Sequence, residues 1–341
     1  MPVFNGEKVI KETLGSIIRQ YNGKFEIVLC DDNSEDSTYA ILEEFGIIYD
    51  FIRIYKNDEN LGMDENFQKT VLSAKGKYIW LFGQDDLLQP GAVDKVIAVL
   101  EKYPDVGIIY INYSQYTHDF NNVLCASALS RQLVNKKKQD IISEDIYFKN
   151  SVDYFKIFDS LPSFLPATVM RRTYWDSSKL NRFKGTCYVQ VGNMLLSMNK
   201  GSIYIIVEPL IKGRIPLNQW QMDGNKHFEI FTGALKMLTI VYRDRRNPIP
   251  LKIYRLHKKR YLLNFFFLTW HCKKMGLTTD FNHLKMIKFI YGRGHVYSFY
   301  FRTIFLMPVF LMNVIGIPLT VGKICSLFLL TKLNIHLGYK K

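Results

Sequence analysis

Adjacent carboxylates that follow a buried strand are well suited to binding a nucleotide. Asp31 and Asp32 come directly after the short apolar run Phe25–Cys30 and are followed by Asn33 and Ser34. Their oxygens can accept hydrogen bonds from a base N–H group or from a ribose hydroxyl. The same residue types also form turns and cap helices, so this cluster by itself favours a turn before a helix.

A second acidic pair, Asp85 and Asp86, follows the apolar run Tyr78–Phe82. Two carboxylates can hold a divalent cation, which takes oxygen ligands and keeps positions open for phosphate oxygens. A cation there would neutralise a diphosphate and stabilise it as a leaving group. The alternative is a capped turn ahead of a helix that begins at Pro90.

A third polar cluster runs from Asn57 to Asn66. Gly62 can adopt a positive φ and bring the backbone close to a ligand. Asn60 and Asn66 can hydrogen-bond to a ribose or a diphosphate. A turn followed by a helix that begins at Met63 explains the cluster equally well.

Strand and helix patterns alternate through about the first 115 residues, which predicts a parallel α/β sheet flanked by helices. Ligands bind such sheets at the carboxyl ends of the strands. Both acidic pairs stand at that end of a predicted strand, and this shared edge favours the functional interpretation. Phe164–Arg172 is predicted to rejoin the sheet as a strand, and the polar residues 121–151 are predicted to form a loop or flap.

The first strand of this sheet is almost missing from the sequence. The chain opens with the run Met1–Asn5, and a helix is predicted over Glu7–Gln20. A βα unit with this helix needs several apolar residues before Pro2, so we expect a start further upstream. Without these residues, a central strand position of the sheet would be empty, which would leave a void and expose the edges of the neighbouring strands.

Composition and charge divide the chain into two parts. Of the 341 residues, 48% are hydrophobic, which is enough for a sizeable core and excludes a wholly disordered chain. The net charge is +14, but the stretch from Arg243 to the C-terminus holds 18 Lys and Arg residues against only Asp244 and Asp280, so the rest is near neutral. This asymmetry disfavours a uniform nucleic-acid-coating surface. The five dispersed cysteines suggest neither a zinc site nor a disulfide framework, which indicates a reducing cytosol.

The C-terminal part carries apolar stretches that favour attachment to a membrane. Thr303–Gly322 has no formal charge over 20 residues, and a second apolar run, Ile324–Thr331, follows. Pro308 and Pro318 interrupt the helix, so a re-entrant or interfacial segment is as well supported as a full span. Flanking basic and aromatic side chains suit anionic headgroups. The alternative is a buried helical hairpin with a basic rim.

Five motifs stand in a fixed order along the chain: Pro2–Gly6, Asp31–Thr38, Asn60–Gly62 with Asn66, Lys75–Ile79, and Asp85–Leu88 with Pro90. In this order and spacing they resemble family 2 glycosyltransferases, which have the GT-A fold. The match covers about the first 115 residues, and Ser163–Trp175 resembles a later strand of the same sheet. The run WLFGQDDLLQPGAV and the long C-terminal part resemble the abequosyltransferase-like branch, which builds O-antigen and other bacterial surface polysaccharides.

The resemblance implies a nucleotide-sugar donor and a divalent cation, Mg²⁺ or Mn²⁺. The cation ligands would be Asp86 and Asp85. The donor-binding residues that it implies are Phe4, Asn5, Asp31, Asp32, Asn60, Gly62, Asn66 and Asp85.

Two departures from the family pattern bear on catalysis. Gly83 stands where the family's D-x-D pattern has its first aspartate, so cation binding rests on fewer carboxylates. The family's later acidic motif, which holds the catalytic base, falls near Gly185–Gly192, where this chain has no carboxylate. The base is therefore not assigned. Asp223 and His227 are weak candidates, and exposed loop residues without a catalytic role are the better account of both.

The leading hypothesis is a metal-dependent, inverting glycosyltransferase that moves a hexosyl or deoxyhexosyl group to a lipid-linked saccharide acceptor. We expect it at the cytoplasmic face of the cytoplasmic membrane, peripheral or monotopic, with an anionic lipid surface as partner and no nucleic acid. A mostly parallel GT-A sheet flanked by helices is expected over residues 1–225, and a basic, helical, membrane-associating region over 226–341.

Two other functions were weighed. A non-catalytic, membrane-associated nucleotide-sugar binder is the alternative, motivated by Gly83 and by the missing base motif. A nucleotidyltransferase is disfavoured because no Gly-rich, basic phosphate loop follows the first strand.

Overall fold

The computed structural model describes residues 1–129, 142–159, 163–176, 180–215, 223–278, 281–292, 294 and 296–315. The strands are β1 (Pro2–Val3), β2 (Ile27–Asp31), β3 (Ile52–Lys56), β4 (Tyr78–Trp80), β5 (Leu87–Leu88), β6 (Val106–Tyr116), β7 (Val123–Cys125), β8 (Ile146–Phe148), β9 (Thr168–Arg171) and β10 (Ser202–Arg214). The helices are α1 (Ile10–Ile18), α2 (Thr38–Ile48), α3 (Met63–Ser73), α4 (Ala92–Lys102), α5 (Ser151–Ile157), α6 (Leu180–Phe183), α7 (Val189–Ser197), α8 (Gly224–Tyr242), α9 (Leu251–Lys274), α10 (Phe281–Tyr291) and α11 (Arg302–Leu306).

The strands form two sheets. The first is parallel, in the order β1-β2-β3. The second has the order β4-β9-β6-β10-β5, with β7 beside β6 and β8 beside β10. Strands β6 and β10 are parallel, and β9 runs against both β4 and β6, so β4, β6 and β10 share one direction. The longest strands of the second sheet therefore end at one edge.

Local sequence explains the helices and strands of the first 115 residues. Ile10, Leu14 and Ile17 recur at helical spacing and are the buried face of α1. All five residues of β2 are buried, as expected for a parallel strand covered on both faces. The predicted strands and helices of this region are confirmed, with boundaries that differ by a few residues.

Two predictions about the middle of the chain need correction. Residues 121–151, predicted to be a loop or flap, contribute the short antiparallel strands β7 and β8. The predicted strand Phe164–Arg172 starts instead with a 3₁₀ turn over Leu165–Ala167, and only Thr168–Arg171 pairs in the sheet. Pro166 explains the turn, because proline fixes φ and has no N–H group for a sheet hydrogen bond.

The chain divides into two compact units. The first comprises Met1–Leu217 and Gly233–His257, and the second comprises Asn218–Thr232 and Lys258–Lys341. Both sheets belong to the first unit. The second unit is helical, and its core is rich in aromatic side chains that include Phe228, Phe265, Phe301 and Phe305. The predicted division at residue 225 stays a prediction.

Among the described residues, no helix combines the length and the apolar character needed to cross a membrane. The predicted apolar stretch Thr303–Gly322 is described only as far as residue 315. The second run, Ile324–Thr331, lies outside the described residues.

Candidate active site

The carboxylates of Asp31 and Asp32 are buried at the end of β2 and organise the loops around them. Asp31 accepts hydrogen bonds from the N–H and the hydroxyl of Ser34, at 3.0 and 2.5 Å. Asp32 accepts from the Asn57 side-chain amide at 2.7 Å and from the backbone N–H groups of Leu61 and Gly62 at 2.9 and 3.0 Å. Asp32 thereby joins the end of β2 to the loop that precedes α3.

The predicted donor-pocket residues Asn60, Gly62 and Asn66 lie in and beside that loop. Gly62 has φ of +83° and precedes α3, so its backbone requires glycine even though a Cβ atom there would meet nothing within 4 Å. The exposed Asn60 accepts from the Gly62 N–H at 2.9 Å. Asn66 is buried and donates to the Cys30 carbonyl at 3.0 Å. A contact of these residues with a donor stays a prediction.

The end of β1 ties the two acidic loops together. The backbone N–H and C=O of Phe4 form a reciprocal pair of hydrogen bonds with the Gln84 side-chain amide, at 2.8 and 2.9 Å. The Asn5 N–H donates to the Ser34 hydroxyl at 2.9 Å, and the Asn5 side chain accepts from the Glu35 N–H at 2.9 Å. The loops that follow β1, β2 and β4 therefore lie together, as the sequence predicted.

Asp85 and Asp86 converge above Gly83. A Cβ atom built on Gly83 would lie 2.8 Å from Asp86 Oδ2 and 3.2 Å from Asp85 Oδ1, so both carboxylates occupy the space that a side chain at position 83 would need. Burial raises the pKa of both carboxyl groups, and the charge of Asp85 raises that of Asp86 further. An aspartate side chain at position 83 would therefore clash with the carboxylates of Asp85 and Asp86 in their present positions.

Arg214, the last residue of β10, holds this acidic loop in place. Its backbone N–H donates to Asp86 Oδ1 at 3.0 Å, and its side-chain Nε donates to the Asp85 backbone carbonyl at 2.9 Å. Its guanidinium also pairs with Glu12 of α1 at 2.5 Å and lies 4.4 Å from the centre of the Phe120 ring. The Arg214 guanidinium group therefore contacts Asp85, Glu12 and Phe120.

The two carboxylates above Gly83 were predicted to bind a divalent cation, and their side chains lie close together. Mg²⁺ is commonly held by one or two carboxylates together with substrate phosphates and water. Within the described ranges, no group of three or more His, Cys, Asp or Glu side chains is arranged to hold a metal ion. Cation binding by Asp85 and Asp86 therefore stays a prediction.

A carboxylate from another element reaches the segment where the family's acidic motif falls. Asp64, in the first turn of α3, accepts from the N–H groups of Thr186 and Cys187 at 3.1 Å each and from that of Val189 at 3.4 Å. These donors belong to the start of α7 and the turn before it, so Asp64 caps α7 from outside the helix. Cys187 has φ of +61° in that turn. Burial raises the pKa of Asp64.

A shallow pocket borders α7 and the carboxyl end of β4. Its volume is about 20 Å³, and its lining includes Leu81, Trp175 and Gln190. Trp175 Nε1 and Gln190 Oε1 are buried and have no hydrogen-bond partner among the described residues. Both residues line the same pocket.

The weak base candidates Asp223 and His227 lie in the second unit. Asp223 is exposed and caps α8 by accepting from the N–H groups of Asn225 and Lys226 at 2.8 and 3.3 Å. His227 stacks on Phe231 with ring centres 5.3 Å apart, and burial lowers its pKa. Catalytic roles for both stay untested.

Comparison with known proteins identifies the family. Residues 1–159 match the model for Glycosyl transferase family 2. An uncharacterized glycosyltransferase of Haemophilus influenzae is 33% identical over 260 residues, which are 73% of this chain and 75% of the relative. The chain belongs to glycosyltransferase family 2. This family 2 enzyme is also 27% identical to abequosyltransferase RfbV of Salmonella typhimurium over 238 residues, 66% of this chain and 68% of that protein.

Two solved structures share the fold of this family 2 enzyme. Staphylococcus aureus TarS 1–349 in complex with UDP-GlcNAc has a TM-score of 0.58 at 13% identity, covering 85% of this chain and 80% of TarS 1–349. The mannosyltransferase PcManGT from Pyrobaculum calidifontis, in complex with GDP-Man and Mn²⁺, has a TM-score of 0.50 at 15% identity, covering 94% and 79%. The predicted GT-A fold is confirmed, and with the family it makes the chain a glycosyltransferase.

Three residues that organise the site of this family 2 enzyme were not identified from the sequence. Arg214 ends the run Lys212-Gly213-Arg214 and showed no local sign of its acidic partners. Asp64 stands in the first turn of a helix, where an acidic residue is expected for the helix dipole alone. Gln84 stands beside the acidic pair in the motif, but its bonds to Phe4 span 80 residues of sequence.

Proposed function

We propose that this glycosyltransferase moves a sugar from a nucleotide-diphosphate donor to a saccharide acceptor used in bacterial surface polysaccharide synthesis. The observation that carries the proposal is the convergence of Asp85 and Asp86 above Gly83, in a loop that Gln84 bonds to the end of β1. The bound donors of TarS and PcManGT and the name of RfbV support the same chemistry.

Asp85 and Asp86 would hold Mg²⁺ or Mn²⁺, which supplies positive charge to offset that of a departing nucleoside diphosphate. The Arg214 backbone N–H donates to the Asp86 carboxylate, and the Arg214 side chain donates to the Asp85 backbone carbonyl, so Arg214 holds this loop in place. We propose inversion, in which the acceptor hydroxyl attacks the anomeric carbon from the side opposite the nucleotide and gives its proton to a general base.

The acceptor is proposed to be lipid-linked, and the enzyme to work at the cytoplasmic face of the cytoplasmic membrane. Support comes from exposed apolar side chains near the end of the described chain: Phe299, Leu306, Phe310, Leu311, Val314 and Ile315. The same region belongs to the basic stretch that begins at Arg243. Apolar contact combined with attraction to anionic lipids is the usual mode of interfacial binding.

Donor binding is tested by thermal unfolding with a panel of UDP-, GDP-, CDP- and dTDP-sugars, each with and without Mn²⁺. A matching donor at about 100 times its Kd should raise Tm by roughly 5 °C, because only the folded state binds it. Asp86→Asn should remove the Mn²⁺-dependent rise, whereas Asp50→Asn, at an exposed position, should retain it. A flat response to the whole panel with both Mn²⁺ and Mg²⁺ would contradict the proposal.

Nucleotide release separates the enzyme from the non-catalytic binder. The donor that stabilises the protein is incubated with a lipid extract from a polysaccharide-producing bacterium, and free nucleotide is measured. Release that Asp86→Asn abolishes supports transfer. Stabilisation by the donor without any release would favour the binder.

Membrane association is tested by sedimentation with vesicles of phosphatidylglycerol and of phosphatidylcholine. The chain should sediment with the anionic vesicles only, and Phe310→Asp should weaken binding about 10-fold because a charge replaces an exposed apolar contact. Ile47→Asp, at an even more exposed apolar residue of the first unit, serves as control. Equal sedimentation of Phe310→Asp and the unaltered chain would count against this surface.

A further inference from the structure

A phenylalanine occupies a strained backbone position in the hairpin between β6 and β7. The Thr117 N–H donates to the Asn122 carbonyl and the Phe120 N–H donates to the Thr117 carbonyl, at 3.0 Å each. Phe120, which ends this turn, has φ of +58°. Hairpin turns usually have glycine in such a left-handed position, because a Cβ atom there crowds the following carbonyl oxygen. The chain therefore has a bulky side chain where the backbone favours none.

Asp119 fixes the shape of this turn. Its carboxylate accepts hydrogen bonds from the Thr117 hydroxyl at 2.5 Å, from the Asn121 N–H at 3.1 Å and from the Asn121 side-chain amide at 2.7 Å. Residues on both sides of Phe120 are thereby tied to one another. The direction of the Phe120 ring is therefore set by the turn.

The hairpin holds the guanidinium group of Arg214. The Phe120 ring centre lies 4.4 Å from the central carbon of that group, within the range of a cation–π contact. The His118 carbonyl accepts from Arg214 Nη1 at 2.9 Å. The Arg214 side chain is 11% exposed. The hairpin thus supplies a ring for the face of the guanidinium group and a hydrogen-bond acceptor at its edge, which are the two contacts that this planar group makes well.

The other two guanidinium nitrogens bond to different segments of the chain. Nη2 pairs with Glu12 of α1 at 2.5 Å, and Nε donates to the Asp85 backbone carbonyl at 2.9 Å. The Arg214 backbone N–H donates to Asp86 Oδ1 at 3.0 Å. One arginine therefore connects the hairpin to the loop that carries the acidic pair.

Ordinary packing does not account for Phe120. A residue that contributes only apolar burial gains nothing from a left-handed backbone, which costs free energy. The Phe120 side chain is only half-buried, and its ring contacts the Tyr116 ring with centres 5.7 Å apart. The contact with Arg214 is the feature that links this strained residue to the candidate active site.

We propose that the β6–β7 hairpin positions the acidic pair through Arg214, and that Phe120 is the positioning residue that keeps the guanidinium group in place. Without the ring, the guanidinium group can follow its exposed partner Glu12 toward solvent and release the Asp85 carbonyl. The acidic loop then loses a fixed contact, and the two carboxylates lose their common orientation. The inference rests on the proposed function in one respect, which is that Asp85 and Asp86 bind the cation.

Phe120→Gly removes the ring and relieves the backbone strain, since glycine adopts a positive φ readily. Mn²⁺ alone is titrated into the full chain and followed by water-proton relaxation. The Kd for Mn²⁺ should rise about 5-fold, because an orienting contact is lost. The Tm should stay within about 3 °C of that of the unaltered chain, because relief of strain offsets the lost ring contacts. Phe120→Tyr keeps a ring and should retain the Kd, as should the control Val123→Ala, at an exposed residue of β7.

A double-mutant cycle tests whether Phe120 acts through Arg214. Arg214→Ala should itself weaken Mn²⁺ binding, and Phe120→Gly in that background should add less than about 2-fold, because the ring no longer has a guanidinium group to hold. Independent effects that multiply in the double variant would overturn the proposal. An unchanged Kd in Phe120→Gly would overturn it as well.

Hydrogen exchange tests the inference without a cation. The Arg214 amide donates to Asp86 Oδ1, so it should exchange at least about 5-fold faster in Phe120→Gly. The amide of Ile109, in the buried part of β6, should be unchanged. Equal exchange at Arg214 in the two chains would overturn the role of the hairpin. Faster exchange in the variant, without saturable Mn²⁺ binding by the unaltered chain, would contradict the proposed cation site and support that role.

Discussion

At the scale of single residues, the acidic pair is shaped by a residue without a side chain. Gly83 leaves the space into which Asp85 Oδ1 and Asp86 Oδ2 point. Arg214 fixes the other oxygen of Asp86 through a backbone hydrogen bond of 3.0 Å. A hydrogen bond from Arg214 therefore positions Asp86 Oδ1, and the missing side chain of Gly83 leaves room for Asp86 Oδ2.

Gly83→Ala should weaken Mn²⁺ binding about 10-fold. The new methyl group would lie 2.8 Å from Asp86 Oδ2, so the carboxylate must turn away from the position that it shares with Asp85. Displaced orienting contacts typically reduce metal affinity by about 10- to 100-fold. Paramagnetic titration of Mn²⁺ with the nucleotide donor present measures the change.

Gly294→Ala is the matched control for that experiment, because a Cβ atom there would meet nothing within 4 Å. It should leave the Kd for Mn²⁺ unchanged. An unchanged Kd for Gly83→Ala as well would show that Asp86 Oδ2 is not a ligand.

At the scale of elements, α7 depends on a residue from another helix. The side chain of its N-cap residue, Tyr188, makes no capping hydrogen bond. The Asp64 carboxylate of α3 accepts from three backbone N–H groups there instead. Asp64 thereby joins α3 to the N-terminus of α7 and to the turn at Cys187, beside the pocket that Gln190 lines.

Asp64→Ala should destabilise the fold by about 2–3 kcal/mol, because buried N–H groups lose their acceptor and α7 loses its cap. Urea unfolding measures the change. Glu65→Ala is the adjacent control. It removes a partly exposed ion pair with Lys184, which is expected to contribute less than about 1 kcal/mol. Equal effects of the two substitutions would argue against the capping role.

At the scale of the whole molecule, positive charge collects toward the C-terminus. The stretch from Arg243 onward holds 18 Lys and Arg residues against Asp244 and Asp280, so the residues before it are near neutral. The proposed attraction to anionic vesicles should therefore weaken as added salt screens these charges, which sedimentation at low and high ionic strength measures.

Much of the fold and part of the site could be predicted from the sequence. The apolar spacing of α1 and the continuous apolar run of β2 are local features, and the structure contains both elements. The acidic pairs could be placed at strand ends for the same reason. The roles of Asp31 and Asp32 in loop architecture could not, because their partners Asn57 and Gly62 come from a loop whose path depends on packing.

The sequence by itself determined the main strands and helices of the first 115 residues, where carboxylates follow strands, and where positive charge collects, because these depend on neighbouring residues. Only the tertiary structure decided the partners of Asp64 and Arg214, which lie 122 and 128 residues away along the chain. Such contacts arise when distant segments pack against one another, and no local pattern of residues encodes that geometry.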